Sequence, residues 1–200
     1  MSANTKLSLS SFEWDILCNP EWIYAKNQIM QKGIELFAAV AEKQKNYVNA
    51  IPFINELGSP PPKISRGEQY KGLPYLMLDY PRIFTKDDVF AIRTMLWWGK
   101  YFSVTLHLKG AYFEMFRHAL MNKSIDDFKT GDFYLQYGGA NEWEHDLHAQ
   151  EWTQKMLDQD YSGDRKLFKV ALKIELTKWE KGEEVLYECF TRLVKLLQAD

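Results

Sequence analysis

Arg93 and His107 are the residues of this chain whose types are best suited to binding chemistry, and both lie in a long run of strand-forming sequence at 89–109. An arginine presents a planar fork to a carboxylate or phosphate, and a histidine titrates near neutrality. In YFSVTLHLK, residues 101–109, Phe102, Val104, Leu106 and Leu108 point one way and Tyr101, Ser103, Thr105, His107 and Lys109 the other. Where Arg93 falls depends on the register of its partner strand, VFAIRTMLWW, residues 89–98. A strict two-residue loop of Gly99 and Lys100 would bury its guanidinium beside Leu106, which is costly unless the charge is paired. A bulge or a three-residue loop removes the conflict. Phe90, Ile92 and Leu96 then join the apolar face, and Ala91, Arg93, Met95 and Trp97 join the polar one.

This second register is the expected one. If Asp79 of a preceding strand faces the same side, it pairs with Arg93 beside Thr105 and His107, with Tyr75, Trp97 and Tyr101 around them. Polar groups at a floor with aromatic walls would suit a small anionic or polar ligand. The plainer alternative is a paired sheet arginine and a solvated histidine, with no ligand.

The segment NEWEHDLHAQE, residues 141–151, holds two histidines and four acids. Glu142 and His145 match the ExxH element of di-iron carboxylate proteins, but a second ExxH is missing, as are HExxH and a nearby cysteine. A metal held by His145 and His148 is therefore the weaker reading. Asn141 and Glu144 read instead as a capping pair opening a helix to about residue 158. On it His145, Ala149, Trp152 and Met156 share a stripe, and His145 becomes a hydrogen-bonded core residue. The sequence contains no GxSxG, GxGxxG or GxxxxGK[ST], so it names no catalytic residue and no cofactor.

The elements that must position these groups are legible in part. Ser10 and Glu13 form a capping box for a short helix carrying Phe12, Trp14, Ile16 and Leu17. Asn19 and Pro20 open a long amphipathic helix from about 20 to 49, with Ile23, Met30, Ile34, Phe37, Ala41 and Val48 on its apolar stripe. The prolines of GSPPPK predict a loop over 58–74. Leu76, Leu78 and Tyr80 alternate with Tyr75, Met77 and Asp79 in a strand that Pro81 should end.

A short helix is expected after Gly110, with Tyr112, Met115, Phe116 and Ala119 on one stripe. FYLQY at 133–137 reads as a strand, a turn is expected at Ser162 and Gly163, and 168–179 alternates as another strand. The last helix follows Gly182, with Val185, Leu186, Cys189, Leu193 and Leu196 inward. Together these predict one α+β domain over residues 1–200. Its mostly antiparallel sheet is centred on the hairpin and packed by amino-terminal, middle and carboxy-terminal helices.

The chain's 200 residues suffice for a substantial core. A formal net charge of -2, with cations and acids interspersed, gives no drive toward nucleic acid. No apolar run is long enough to span a bilayer, and the amino terminus lacks a secretory signal, so no membrane partner and a cytoplasmic location are expected. Cys18 and Cys189 read as buried, reduced thiols. The aromatic share of 15% is high, and rings in that number fill a core, a pocket or a partner surface.

The block YKGLPYLMLDYPRIFTKDDVFAIRTMLWWGKYFSVTLHLKG, residues 70–110, resembles conserved hypothetical bacterial proteins of unknown function. The resemblance covers about a fifth of the chain. It implies a soluble, cytoplasmic bacterial protein and brings no catalytic residues with it. Two functions remain open: a ligand-binding protein or enzyme using the polar hairpin face, and an interaction or self-association module, such as a homodimer, using exposed aromatics. Exposure of Trp97, Trp98 and Tyr101 separates them.

Overall fold

The computed structural model describes residues 7–121, 133–137, 141–153 and 167–198. Ser10 caps the first helix, α1 (Ser11–Cys18), through the expected reciprocal box with Glu13. The Asn19 side chain accepts from the Glu21 amide at 3.1 Å, and Pro20 already has helical angles where the long helix α2 (Glu21–Asn49) begins. A single turn, α3 (Pro52–Asn55), follows.

The sheet has the order β1-β2-β3-β4-β6-β5, and every neighbouring pair is antiparallel. Its strands are β1 (Lys63–Tyr70), β2 (Leu73–Phe84), β3 (Val89–Trp97), β4 (Tyr101–Lys109), β5 (Phe133–Tyr137) and β6 (Leu167–Ile174). Helix α4 (Ala111–Met121) follows β4. A 3-10 turn (Leu176–Lys181) leads from β6 into the last helix, α5 (Gly182–Lys195). The chain is thus α+β, with the 89–109 hairpin at the middle of its sheet.

One face of the sheet meets the helices. Leu76, Leu78, Phe90, Ile92, Leu96, Phe102, Val104, Leu106 and Leu108 form one core with Phe37 and Val40 of α2, Phe113 of α4 and Leu186, Phe190 and Leu193 of α5. The α4 stripe is displaced from the expected one. Phe113, Phe116 and Leu120 are inward, whereas Met115 is exposed, because α4 leans its Phe113 ring onto Phe168 of β6.

Three expectations about the sheet need correction. Residues 63–70 are a strand, not part of a loop, because an edge strand pairs on one side only and needs neither alternation nor strong strand formers. Strand β2 also runs through Pro81 to Phe84. The missing proline donor falls where the pairing with β3 shifts between Asp79 and Arg82. The last strand ends at Ile174, short of the expected 179.

Gly110 joins the hairpin to α4 with φ +61, and an added Cβ there would collide with the Asp88 carboxylate and the Asp87 carbonyl. The same Asp88 oxygen accepts from the Ala111 amide at 2.7 Å, holding the first turn of α4. Gly110→Ala should therefore destabilise the fold by about 1–3 kcal/mol in urea unfolding, from backbone strain and the displaced cap together.

Candidate functional site

The hairpin turns through Trp98, Gly99 and Lys100, so Trp97 pairs with Tyr101 and Arg93 with Thr105. Gly99 at φ +67 permits this three-residue loop. The register is the one that keeps the guanidinium off the leucines. On the neighbouring strand Asp79 pairs with Arg93, and the fork closes on its carboxylate at 2.6 and 3.0 Å. Arg93, Thr105, His107, Asp79, Tyr75, Trp97 and Tyr101 thus share one face, as the alternation requires.

That face is covered. Asp79, Ser103, Thr105, His107, Trp97 and Tyr101 are all buried, and Tyr75 is half-buried. The cover is the segment 141–153, which lies over the sheet without forming a helix. The expected helix fails there for a local reason. The Asn141 side chain accepts from the Trp143 amide and Glu144 accepts from the Asp146 amide, both competing with helical bonds. The sheet then supplies the remaining partners. The Tyr70 hydroxyl accepts from the amides of His145 and Asp146 at 2.8 and 2.9 Å and donates to the Glu144 carboxylate. The Tyr101 hydroxyl accepts from Leu147 at 2.8 Å, and Lys169 donates to the carbonyls of Glu142 and Glu144 at 2.9 and 2.8 Å. Met156, the continuation to 158 and the Ser162–Gly163 turn lie outside the described residues.

His145 and His148 do not converge. The His145 ring meets an Arg93 nitrogen at 3.0 Å, as a buried hydrogen-bonded residue, while His148 presents its ring to Tyr101 and Tyr134. Among the described residues no group of three His, Cys, Asp or Glu side chains is arranged to hold a metal.

Sequence reasoning missed the centre of this layer. His107, Lys169 and Gln136 stand side by side on three adjacent strands, facing the cover. Lys169 is fully buried, with its ammonium 4.7 Å from the centre of the Trp152 ring. Burial lowers its pKa to about 7, the Arg93 charge adds to that, and Glu144, Glu142 and Glu151 oppose it. Burial likewise pushes His107 down to about 3, helped by Lys169, Arg93 and Lys109, and drives His145 well below its usual value. Both histidines are neutral beside the cations. His107 Nε2 lies 4.0 Å from Glu142, too far for a hydrogen bond, and has no partner among the described residues.

Burial also raises the phenols of Tyr70 and Tyr101, and the negative charges of Glu144 and Asp146 add to the effect. Desolvation works against ionisation of Glu144 and Asp146, but hydrogen bonds from Tyr70, Lys71 and backbone amides outweigh it and keep both carboxyls low. The only advance signal for Lys169 was a cation beside Ala171 in an alternating strand, meaningful once β6 is known to pair with β4.

Among the described residues, surface clefts lie elsewhere, on the helix side of the sheet. One of about 620 Å³ sits between α2 and the Pro61–Pro62 loop, and one of about 690 Å³ lies beside Phe53 and Phe116.

The exposed aromatics are not those of the hairpin. Trp97 and Tyr101 are buried and Trp98 is half-buried against the helix-side core. Apart from Phe84 at the end of β2 and Trp143 on the cover, the large exposed rings among the described residues stand at the amino-terminal end. No residue of α1 is buried, although five of its eight are Phe12, Trp14, Ile16, Leu17 and Cys18. The expected burial of Cys18 thus fails, because the helix that carries it has no cover among the described residues, while Cys189 is buried. The exposure continues into α2 through Trp22, Ile23, Tyr24 and Ile29 until Met30 enters the core. Residues 7–29 therefore form an arm that leaves the body of the protein. Within it Lys26, ion-paired to Glu68 of β1, is half-buried, and every other residue is exposed.

No described helix is long and apolar enough to cross a membrane. No family model, curated protein or solved structure matches the chain.

Proposed function

We propose that this chain is a protein-recognition module whose contact surface is the amino-terminal arm, residues 7–29. The observation that carries this reading is α1 itself. A helix with apolar side chains spread around its circumference belongs in a packed environment, and none of the residues of α1 is buried among the described residues. Phe12 is 67% exposed, Leu17 66% and Trp22 60%. Scattered exposed apolar residues need no explanation, but a contiguous run of them marks a contact site.

The α2 stripe supports the same reading. Ile23, Met30, Phe37 and Gln44 recur every seven residues. The last three are buried while Ile23 is exposed, so the buried stripe overhangs its own core. The hairpin face supports ligand binding less well. Its arginine fork is filled by Asp79, and the 141–153 segment occupies the space above it. The exposed free thiol of Cys18 favours a reducing, cytoplasmic setting, in line with the bacterial character suggested by residues 70–110.

A docking arm is dispensable to the fold that carries it. The triple variant Phe12→Ser, Trp14→Ser, Leu17→Ser should unfold in urea at the parent's midpoint, within a few tenths of a kcal/mol, when both are monomeric. A loss of about 2 kcal/mol or more would show that the arm packs onto its own body and would overturn the reading.

A further inference from the structure

Resting on that reading, we propose that the arm's partner is a second copy of this chain. The two arms pair antiparallel about a twofold axis near Trp22 and Ile23, and α1 of each lies along the α2 root of the other.

Area is the first argument. Leu7, Leu9, Phe12, Trp14, Ile16, Leu17, which all precede α2, are exposed together with Trp22, Ile23, Tyr24 and Ile29. At roughly 80–100 Å² of exposed surface each, they supply about 800–1,000 Å² per chain, the area each partner contributes to a standard-size interface. An isologous pair uses this surface twice and closes on itself, leaving no apolar patch to propagate.

Charge fixes the direction. The tip of the arm carries Glu13 and Asp15, Glu21 lies beside the axis, and Lys26 stands at the root, followed just beyond the arm by Lys32 and, one turn on, Glu35. Parallel pairing would set acid on acid. Antiparallel pairing about Trp22 and Ile23 brings the acidic tip of one chain to the basic root of its mate, with Lys32 exposed to receive it. Lys26 is neutralised by Glu68, so Lys32 carries the complementarity at that end.

The shape of α1 gives a third reason. Trp14 and Leu17 lie on the side of the helix away from Phe12 and Ile16, so one flat contact leaves half of them wet. In the antiparallel pair the mate's α2 covers one side of α1 and presses the other toward the chain's own α2, so both sides are buried only on dimerisation.

Sedimentation equilibrium across the micromolar range tests the proposal. The full chain is expected at twice the chain mass, and the triple serine variant of residues 12, 14 and 17 at the chain mass. Lys32→Glu should weaken the dimer at least tenfold, and adding Asp15→Lys should restore most of the loss. This pair keeps the test independent of the apolar substitutions. A parent that stays monomeric overturns the second-copy proposal and leaves the arm's recognition role standing for a foreign protein. A monomer that instead co-sediments with phosphatidylcholine vesicles overturns it in favour of a lipid surface. A dimer unaffected by the serine substitutions places the interface elsewhere and also overturns it.

Discussion

Arg93→Met is expected to cost the fold about 3–5 kcal/mol, because it strands the Asp79 carboxylate at a buried position with its charge unmatched. The Asp79 and Arg93 side chains retain only 10% and 14% of their exposure, and the fork makes two bonds to the carboxylate. The substitution also removes the nitrogen that meets His145, loosening the 141–153 cover. The double variant Asp79→Leu, Arg93→Met should recover most of the loss, since removing both charges also removes their desolvation cost. Urea midpoints for the two single variants and the double variant measure this. A loss below about 1 kcal/mol for Arg93→Met would mean that the pair is solvated and the cover open in solution.

The second large effect is on pH. His107 and His145 are held neutral in the fold but ordinarily titrate at 6.5. Above that value neither state is charged and the histidines do not bear on stability. As the pH falls below 6.5 the unfolded chain takes up two protons that the folded chain refuses, His107 until about pH 3. Stability should fall by roughly 1 kcal/mol per pH unit for each histidine.

Glu144 and Asp146, whose pKa values are lowered in the fold, add a further loss at lower pH, as their carboxylates are protonated. Lys169 acts at the other end. Its folded value near 7 against an ordinary 10.5 means that the unfolded chain holds more protons between the two, so stability should rise with pH in that range. The raised phenols of Tyr70 and Tyr101 reverse the trend above 10. Urea midpoints from pH 4 to pH 9 should climb steadily, and His107→Asn with His145→Gln should flatten the acid limb. An unchanged midpoint between pH 6.5 and 4.5 would contradict the buried neutral pair.

Much of the scaffold was legible because local rules and tertiary demands agree there. Ser10 with Glu13 announces α1, the spacing from Met30 to Val48 announces α2, and the cost of seating Arg93 beside Leu106 chooses the hairpin register. The Asp79–Arg93 pair follows from that register. The failures have physical causes. Strand β1 hides behind prolines and glycine because it is an edge, where one-sided pairing tolerates KISRGEQY. The 141–153 segment has a helical pattern, yet hydroxyls of Tyr70 and Tyr101 and the ammonium of Lys169 take the backbone groups a helix would pair. Those three residues sit far from the segment in sequence, so no local pattern reveals them. Exposure was the deepest limit. The apolar content of α1 asks for cover, and only the fold reveals that none of its residues is buried among the described residues.

Alkylation of Cys18 in dilute, folded protein tests the central claim most directly. Cys18 stands on the exposed arm, and Cys189 is buried in the helix-side core, where burial raises its thiol pKa to about 11. The arm as a docking surface predicts that Cys18 reacts at the rate of an unfolded cysteine while Cys189 stays silent, and that assembly slows Cys18 alone. A Cys18 as protected as Cys189 in the dilute monomer would mean that the arm is packed on its own body, and would contradict the account.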